Sequence, residues 1–525
     1  MARTRVVDEP VAEQSLDRSS RTRRLAGLAV PLLGGALVGV SLPPLGWWPL
    51  AVLGEAAVFI GVSGRPARRR FAAGLAAGFG QFFISLAWAL QFNTAGYVVL
   101  SVVESLFFAF AALLAPAGKK WAGLSVATIP AAFTLAEYAR DKWPFGGMPL
   151  GGVALGQLGG PLAITARLGG SFLVASSVFI AGAVLGSLVQ RRRRVLRLKG
   201  GAAAGLGLAV LLALVLWAVV SPNGYGSGPV RLLRAALVQG GGKRGLNQLE
   251  VPPRRVFDAA LRETAVVKQH VDLILWPEDV VAENGPFVGS GDERTLEALA
   301  RSHDATLMAG VTEPVGQTRF RNEIVAISPA GHLVATFEKV HRVPFGEYVP
   351  FRGFFAHFAN LSAVPRDAVP GTGSGLMVTP AGRFGVLVSY EVFFPGRGRS
   401  GVGAGGTVVL VPTNTSSYSN DQAPSQEIAA SRLQALEQGR YVLQVAPTGY
   451  TAVIDNNGNV LQRSSLSVPA VVYSTVPELE GRTVFVRLGE LPLGVICLSV
   501  LAASWALVLL NPGGVDLSGS RKPGS

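Results

Sequence analysis

Cysteine is almost missing from these 525 residues: there is one, Cys497. A disulfide within the chain is therefore excluded, and so is a thiolate zinc site. Histidine is scarce too, with five residues, none in an HExxH or HxxxH pair that would seat a metal. Charge is thin, at 15% of residues, too little for an ordinary soluble chain of this length. Acidic side chains are the rarer sign, 33 against 47 basic ones, for a net charge of +14. That excess invites a nucleic-acid reading. The arginines, however, sit in short clusters between apolar runs rather than on a polar face, so no nucleic-acid partner is expected. The GGGKRG stretch from Gly240 lacks the spacing and the Ser/Thr of a phosphate loop and reads as a flexible loop. No cofactor is expected.

What the chain has in abundance is apolar sequence, 49% of residues. Runs of membrane-spanning length lie at 25–42, 46–63, 71–92, 96–117, 121–138, 168–189, 201–220 and 489–510. Basic clusters bound them: Arg18, Arg21, Arg23 and Arg24; Arg65 and Arg68 to Arg70; Lys119 and Lys120; Arg191 to Arg194 with Arg197 and Lys199. With the N-terminus inside, every later cluster falls on the same side, while the opposite short loops at 43–45 and 93–95 are uncharged. The first run is read as a span rather than a cleaved signal peptide. The expected organisation is a basic cytoplasmic N-terminus (1–24), seven spans (25–220), an extracytoplasmic domain (221–488), an eighth span (489–510) and a cytoplasmic tail (511–525). The outer segment 139–167, with Arg140, Lys142 and Arg167, is long enough to be re-entrant or interfacial.

The sequence changes character over 221–488. Short runs rich in Val, Ile and Leu, such as VDLILWPE, FGVLVSYE and TVVLVPTN, alternate with helical stretches such as SQEIAASRLQALEQGRYV, which reads as amphipathic. Near-continuous apolar strands imply sheets covered on both faces. DNNG at 455–458 reads as a hairpin turn. Three strand ends carry ionisable or nucleophilic groups, where an α/β sheet usually does its chemistry: Glu278 after VDLILWP, Lys339 with Glu347 eight residues on, and Ser389 after GVLV. Each has a plain structural explanation taken alone. A base, a cation and a hydroxyl on separate strands of one domain are more telling together.

WPED, KVHRVPFGEYVPFR and SYE at the end of a buried strand resemble the three catalytic blocks of the nitrilase (carbon–nitrogen hydrolase) superfamily. With the preceding spans, the chain resembles the apolipoprotein N-acyltransferase family over 25–510. RFRNEIVAIS, with Asn322, and RLQALEQGRYVLQVAPTGYTAVIDNNG extend the likeness. The resemblance implies an α/β nitrilase-like αββα sandwich carried on an eight-helix transmembrane bundle in a bacterial-type cytoplasmic (inner) membrane. It implies acyl transfer in two steps, from a phospholipid donor to the α-amino group of a diacylglyceryl-modified apolipoprotein. Carried over, Glu278 is the general base, Lys339 helps hold the oxyanion, Glu347 positions the lysine, and Asn322, Tyr390 and Glu391 support the site.

The family's nucleophile is a cysteine, and position 389 is serine. A thiol, with a pKa near about 8.5, is nucleophilic even at low thiolate fraction. A serine hydroxyl ionises far less readily, and a Glu–Lys site lacks the histidine that usually activates one. Three explanations stand: an engineered substitution that freezes a state, a natural variant with an altered or lost acyl step, or a working serine enzyme, which demands the most of the site. FRGFFAHFANL, with Phe351, Phe354, Phe355 and Phe358, reads either as a buried core helix or as a lid that dips into the outer leaflet. LAEYARDKWPFGGMP, with Glu137, Arg140 and Trp143, resembles the family's entrance region. The competing functions are a catalytically silent lipid- or lipoprotein-binding homologue, a transporter built on the acidic residues Glu55, Glu104 and Glu137 of the spans, and a membrane-tethered carbon–nitrogen hydrolase.

Overall fold

All eight apolar runs fold as helices: α1 (Gly27–Ser41), α2 (Pro49–Val62), α3 (Ala67–Ser85), α4 (Thr94–Leu114), α5 (Ser125–Lys142), α6 (Ala166–Arg192), α7 (Lys199–Val220) and α14 (Leu491–Leu510). The computed structural model describes residues 27–121, 123–192, 199–226, 228, 230–246, 250–357, 361, 362 and 364–511. The terminal segments 1–24 and 512–525 lie outside the described residues. Four stretches among the described residues are long and apolar enough to cross a membrane: Thr94–Leu114, Ala163–Gln190, Ala202–Val220 and Leu491–Leu510. α1 and α2 are apolar but shorter. Small residues let the helices approach. A Cβ on Gly74 or Gly78 of α3 would come within 2.5 Å of Phe108 O and 2.6 Å of Ser105 Cα on α4.

Two boundaries differ from expectation, each for a polar reason. The fifth run is expected to end at 138, yet α5 continues to Lys142 with Arg140 buried. The Arg140 guanidinium donates to Glu104 Oε2 (2.7 Å), Glu137 Oε2 (2.9 Å) and Leu150 O (2.6 Å), which compensates the charge. The third run is expected to reach 92, but α3 stops at Ser85 and a 3₁₀ turn, Ala87–Gln91, follows. The backbone groups freed there pair with glutamines of the following domain. Between the end of α5 and the start of α6, the segment 139–167 forms turns and short 3₁₀ helices, Val153–Gly156 and Ala163–Thr165; Gly147 and residues 150–157 are buried beneath that domain, while Trp143 and Phe145 stay exposed.

That domain contains two sheets. The first holds β1 (Leu232–Gln239), β2 (Leu273–Leu275), β3 (Val281–Ala282), β4 (Thr306–Val315), β5 (Arg319–Ile327), β6 (Leu333–Glu338), β7 (Asp367–Ala368) and β14 (Ala470–Pro477), in the order β14-β1-β2-β4-β5-β6, with β3 on β4 and β7 on β5. The second holds β8 (Leu376–Thr379), β9 (Gly382–Val386), β10 (Val408–Pro412), β11 (Val442–Val445), β12 (Ala452–Ile454) and β13 (Val460–Arg463), in the order β13-β12-β11-β10-β9-β8. β1, β2 and β4 run parallel, as do β9, β10 and β11. Between the sheets lie Leu237, Leu275, Met308 and Ile324 with Val386, Leu410, Leu443 and Val453. On the other face of the first sheet, Ala236, Ile274 and Leu307 meet Phe257 of α8 (Pro253–Ala265) and Leu296 of α9 (Gly291–His303). Alternate residues of one strand thus enter two different cores, which is why these strands read as unbroken apolar runs. Short helix α10 (Arg352–Phe355), then α11 (Pro395–Gly403), α12 (Gln422–Gln438) and α13 (Val484–Leu488) complete the domain. Helix–sheet–sheet–helix layering is the nitrilase-like α/β architecture. The DNNG turn joins β12 to β13, with the Asp455 carboxylate accepting from Asn457 N (2.9 Å) and Asn459 N (2.8 Å).

The α12 stretch is not amphipathic as expected. All its residues except Gln422, Ser425 and Arg432 are buried, because the helical bundle covers the side away from the sheet. Gln422 accepts from Trp88 N (2.8 Å) and donates to Ile84 O (2.9 Å); Gln426 accepts from Gly151 N (3.0 Å) and donates to Ser85 O (2.8 Å). These bonds serve the broken end of α3.

Candidate active site

Glu278 occupies a tight turn between β2 and β3 and is 2% exposed. The turn lies against β4 at Gly310, where a Cβ would come within 2.5 Å of Glu278 Cα, so only glycine admits it. Glu278 Oε1 accepts from Lys339 Nζ (2.7 Å) and Asn322 Nδ2 (2.8 Å). Lys339 directly follows β6, and its backbone N–H donates to Asn322 O (2.9 Å), so the β5–β6 ladder sets both side chains side by side. Glu347 closes the group. Its Oε1 accepts from Lys339 Nζ (2.5 Å), and its Oε2 from Val343 N (2.9 Å). Burial by itself would lower the Lys339 pKa; Glu278 and Glu347 more than reverse this and hold the ammonium above its usual range. Burial raises the Glu347 carboxyl against the pull of the lysine. Asp279, at φ 57° and half-buried, is held well above the carboxylate range by burial of its carboxyl and then by Glu278.

Ser389 opens a 3₁₀ turn, Ser389–Phe393, beyond the end of β9. Its φ of 50° lies in the left-handed region, a costly conformation for a residue with a side chain and one that clusters at functional sites. Glu391 fixes this turn. Its Oε1 accepts from Val340 N (3.0 Å), His341 N (3.1 Å) and Arg397 Nε (3.2 Å), and its Oε2 from Val388 N (2.9 Å). One buried carboxylate therefore ties the residues after Lys339 to the backbone before Ser389. Tyr390 donates its hydroxyl to Gly147 O (2.8 Å) in the segment between α5 and α6. Among the described residues, the hydrogen-bond partner of Ser389 Oγ is Thr413 Oγ1, at 3.2 Å; neither Glu278 nor Lys339 bonds it. His341 stacks on Phe394 with ring centroids 4.2 Å apart; burial, Arg397 and Lys142 lower its pKa to about 4, so it is neutral near pH 7. Among the described residues, no three His, Cys, Asp or Glu side chains are grouped to hold a metal ion.

The aromatic stretch after the PFGEYVP block is not a core helix. α10 has no buried residue, and Phe351 is 74% and Phe354 62% exposed. Phe345 stands edge-on to Phe355 (5.1 Å) and to Phe145 (6.1 Å), and Phe145 to Phe351 (5.9 Å). The exposed aromatics thus bridge the catalytic domain and the segment after α5, where Trp143 is also exposed. Phe358 lies outside the described residues.

The apolipoprotein N-acyltransferase N-terminal domain family matches residues 34–184, and the carbon–nitrogen hydrolase family matches 234–482. A protein of Azotobacter vinelandii named apolipoprotein N-acyltransferase is 30% identical over 518 residues, covering 92% of this chain and 95% of its own. This chain belongs to the apolipoprotein N-acyltransferase family. An apolipoprotein N-acyltransferase of Mycolicibacterium smegmatis is 28% identical over 93% of this chain and 86% of its own. Among solved structures, an amidase from Nesterenkonia sp. is 19% identical with a TM-score of 0.37, covering 52% of this chain and 97% of that one. Saccharomyces cerevisiae Nit3, a member of branch 10 of the nitrilase superfamily, is 17% identical with a TM-score of 0.36, covering 56% and 98%. As a member of the apolipoprotein N-acyltransferase family, the chain is an acyltransferase. Three residues of the site escape a reading of the sequence: half-buried Asp279 and the buried pair Thr413 and Glu427. Thr413 stands at the end of β10, beside the end of β9 that carries Ser389. TVVLVPTN is recognisable as a strand, and the position of its threonine at the strand end was the available signal.

Proposed function

We propose that this chain transfers an acyl group from a phospholipid to the α-amino group of the diacylglyceryl-cysteine of an apolipoprotein, in two steps through an ester on Ser389. The observation that carries this reading is the buried Glu278–Lys339–Glu347 group, joined through the Glu391 clamp to the turn bearing Ser389. Lys339, an ammonium held charged by two carboxylates, stabilises the oxyanion of each tetrahedral intermediate. Glu278 shuttles the proton, positioned by Asn322, while Glu347 aligns the lysine. Tyr390 and Glu391 hold the turn in its left-handed conformation. The exposed aromatics Phe351 and Phe354, with half-buried Phe355, form a lid that dips into the outer leaflet and admits acyl chains.

The same proposal takes all eight apolar helices as membrane spans, with both termini in the cytoplasm and 221–488 on the extracytoplasmic face of the bacterial inner membrane. The basic clusters support it, as does the polar network that compensates Arg140. Glu104 and Glu137 are bound to that arginine, which gives them a structural role and weakens a transporter reading. The decisive experiment is mass spectrometry of a lipoprotein N-terminus from cells with and without this chain: one additional N-linked acyl group is expected only in its presence.

One observation favours a second reading, that of a silent lipoprotein- or lipid-binding homologue. Ser389 is a poorer nucleophile than the family's cysteine, and neither Glu278 nor Lys339 bonds its hydroxyl. Bound phospholipid with no acyl-enzyme and no N-acyl product would establish it.

A further inference from the structure

If Ser389 attacks an ester, something must take its proton, and the geometry on its other side offers a path. Thr413 Oγ1 lies 3.2 Å from Ser389 Oγ and is also hydrogen-bonded to Glu427 Oε1. Thr413 is fully buried and Glu427 is 2% exposed. A threonine hydroxyl has one hydrogen. When Glu427 is ionised its carboxylate claims that hydrogen, which leaves a lone pair of Thr413 Oγ1 facing Ser389. The hydrogen between the two hydroxyls is then the serine's.

Resting on the acyl-transfer reading above, we propose that Thr413 and Glu427 form a proton relay for Ser389, in which Glu427 is a positioning residue that receives the serine's proton through the threonine hydroxyl. Two further features support a relay over simple packing. Glu427 Oε2 is buried with no hydrogen-bond partner among the described residues, an expensive arrangement for a side chain that only fills space. Burial, and then Glu278, push the Glu427 carboxyl up to about 8, close to the working pH at which a general base is most effective.

The protons balance. In the first step Ser389 Oγ bonds the acyl carbon, and the acyl carbon–oxygen bond of the phospholipid breaks. The serine proton passes to Thr413 Oγ1 while the threonine proton passes to Glu427. The departing lysophospholipid oxygen takes a proton from the Lys339–Glu278 pair. In the second step the acceptor amine bonds the acyl carbon and gives a proton to that pair, the acyl carbon–Ser389 Oγ bond breaks, and Ser389 Oγ recovers its proton from Glu427 through Thr413. The relay leaves the Glu278–Lys339 pair free to serve the leaving oxygen and the incoming amine.

The test uses the purified full-length chain in detergent and a fluorophosphonate, which phosphonylates activated serines, with labelling at Ser389 followed by mass spectrometry across neutral and alkaline pH. Labelling of the unmodified chain should accelerate as pH rises through the Glu427 range. Glu427→Gln and Thr413→Val should slow it by about 100-fold or more and flatten the pH rise, whereas Thr413→Ser, which keeps the hydroxyl, should retain it. Iodoacetamide alkylation of a Ser389→Cys chain supplies the control, since a thiol needs no relay: adding Glu427→Gln should leave that rate unchanged. The relay is overturned if Ser389 of the unmodified chain is unreactive, if Glu427→Gln labels at the unmodified rate, if Thr413→Ser behaves as Thr413→Val, or if Glu427→Gln slows serine and cysteine modification equally. Intact labelling without transfer of phospholipid acyl groups to a lipoprotein would instead refute the acyl-transfer reading and leave the relay standing.

Discussion

Replacing Lys339 by methionine isolates the charge at the centre of the site. The residue is 1% exposed, and its side-chain nitrogen stands 2.7 Å from Glu278 Oε1 and 2.5 Å from Glu347 Oε1, so the two oxygens are at most about 5 Å apart. At an effective dielectric near 20, two full charges at that spacing repel by about 3 kcal/mol. Removing one partner of a buried ion pair typically costs about 3–5 kcal/mol, which agrees. Lys339→Met should lose this much stability near neutral pH, and acyl transfer should fall by about 100-fold or more as the oxyanion loses its cation. The pH dependence has a definite sign. In the unmodified chain the lysine's pKa is raised, so its stabilisation is complete below the unfolded value of about 10.4 and is lost only as pH climbs through the folded one. In the variant, the two unpaired carboxylates take up a proton, so a carboxyl titrates above its unfolded value. Stability then falls as pH rises through that new value. The gap between variant and unmodified chain should therefore be widest at about pH 8 and narrow toward about pH 5. Thermal unfolding in detergent at both pH values measures it, with exposed Lys268→Met as the control. A Lys339→Met chain that unfolds like the control, or whose deficit does not change with pH, would refute the buried-pair reasoning.

Three further outcomes are expected. Ser389→Cys should accumulate a hydroxylamine-sensitive acyl-enzyme when given phospholipid without an amine acceptor, and Glu278→Gln in that background should abolish it; gel-shift or mass analysis reads both. Glu391→Ala strands the three backbone N–H groups and the Arg397 guanidinium that its carboxylate accepts from, so thermal unfolding should register a loss of about 3 kcal/mol or more, together with loss of transfer. An alkaline phosphatase fusion at residue 300 should be active and one placed after Gly64 silent; the reverse pattern would overturn the orientation read from the arginines.

The strand ends were legible because chemistry follows strands there: Glu278 and Ser389 each come after a stretch of buried Val, Ile or Leu, and Lys339 directly follows the mixed strand LVATFE. The DNNG turn announced itself by local geometry. What hydropathy could not convey was pairing between distant segments. Arg140 reads as an end to its helix, and only its contacts with Glu104 and Glu137 explain why α5 runs past it. The glutamines of α12 read as a solvated face; in the structure they satisfy the backbone of another helix. Phe351 and Phe354 were equally compatible with a core and with an exposed surface, since an aromatic run has the same periodicity in both. Glu427 was invisible and Thr413 only weakly marked for a related reason: a threonine at a strand end and a glutamate in a helix are ordinary until they are found sharing a hydrogen bond beside a serine.

The burial of α12 on both sides has a consequence for biogenesis. Its outer face is completed by Ile84, Ser85, Trp88 and Gly151, all of which leave the ribosome long before residue 422. The domain over 221–488 therefore does not complete its folding as an independent body. It closes onto helices that have already been made, and the order of synthesis supplies the parts in the order in which they are needed. A circular permutant that delivered 221–488 first would have to keep α12, with its glutamines unsatisfied, waiting until its seat arrived.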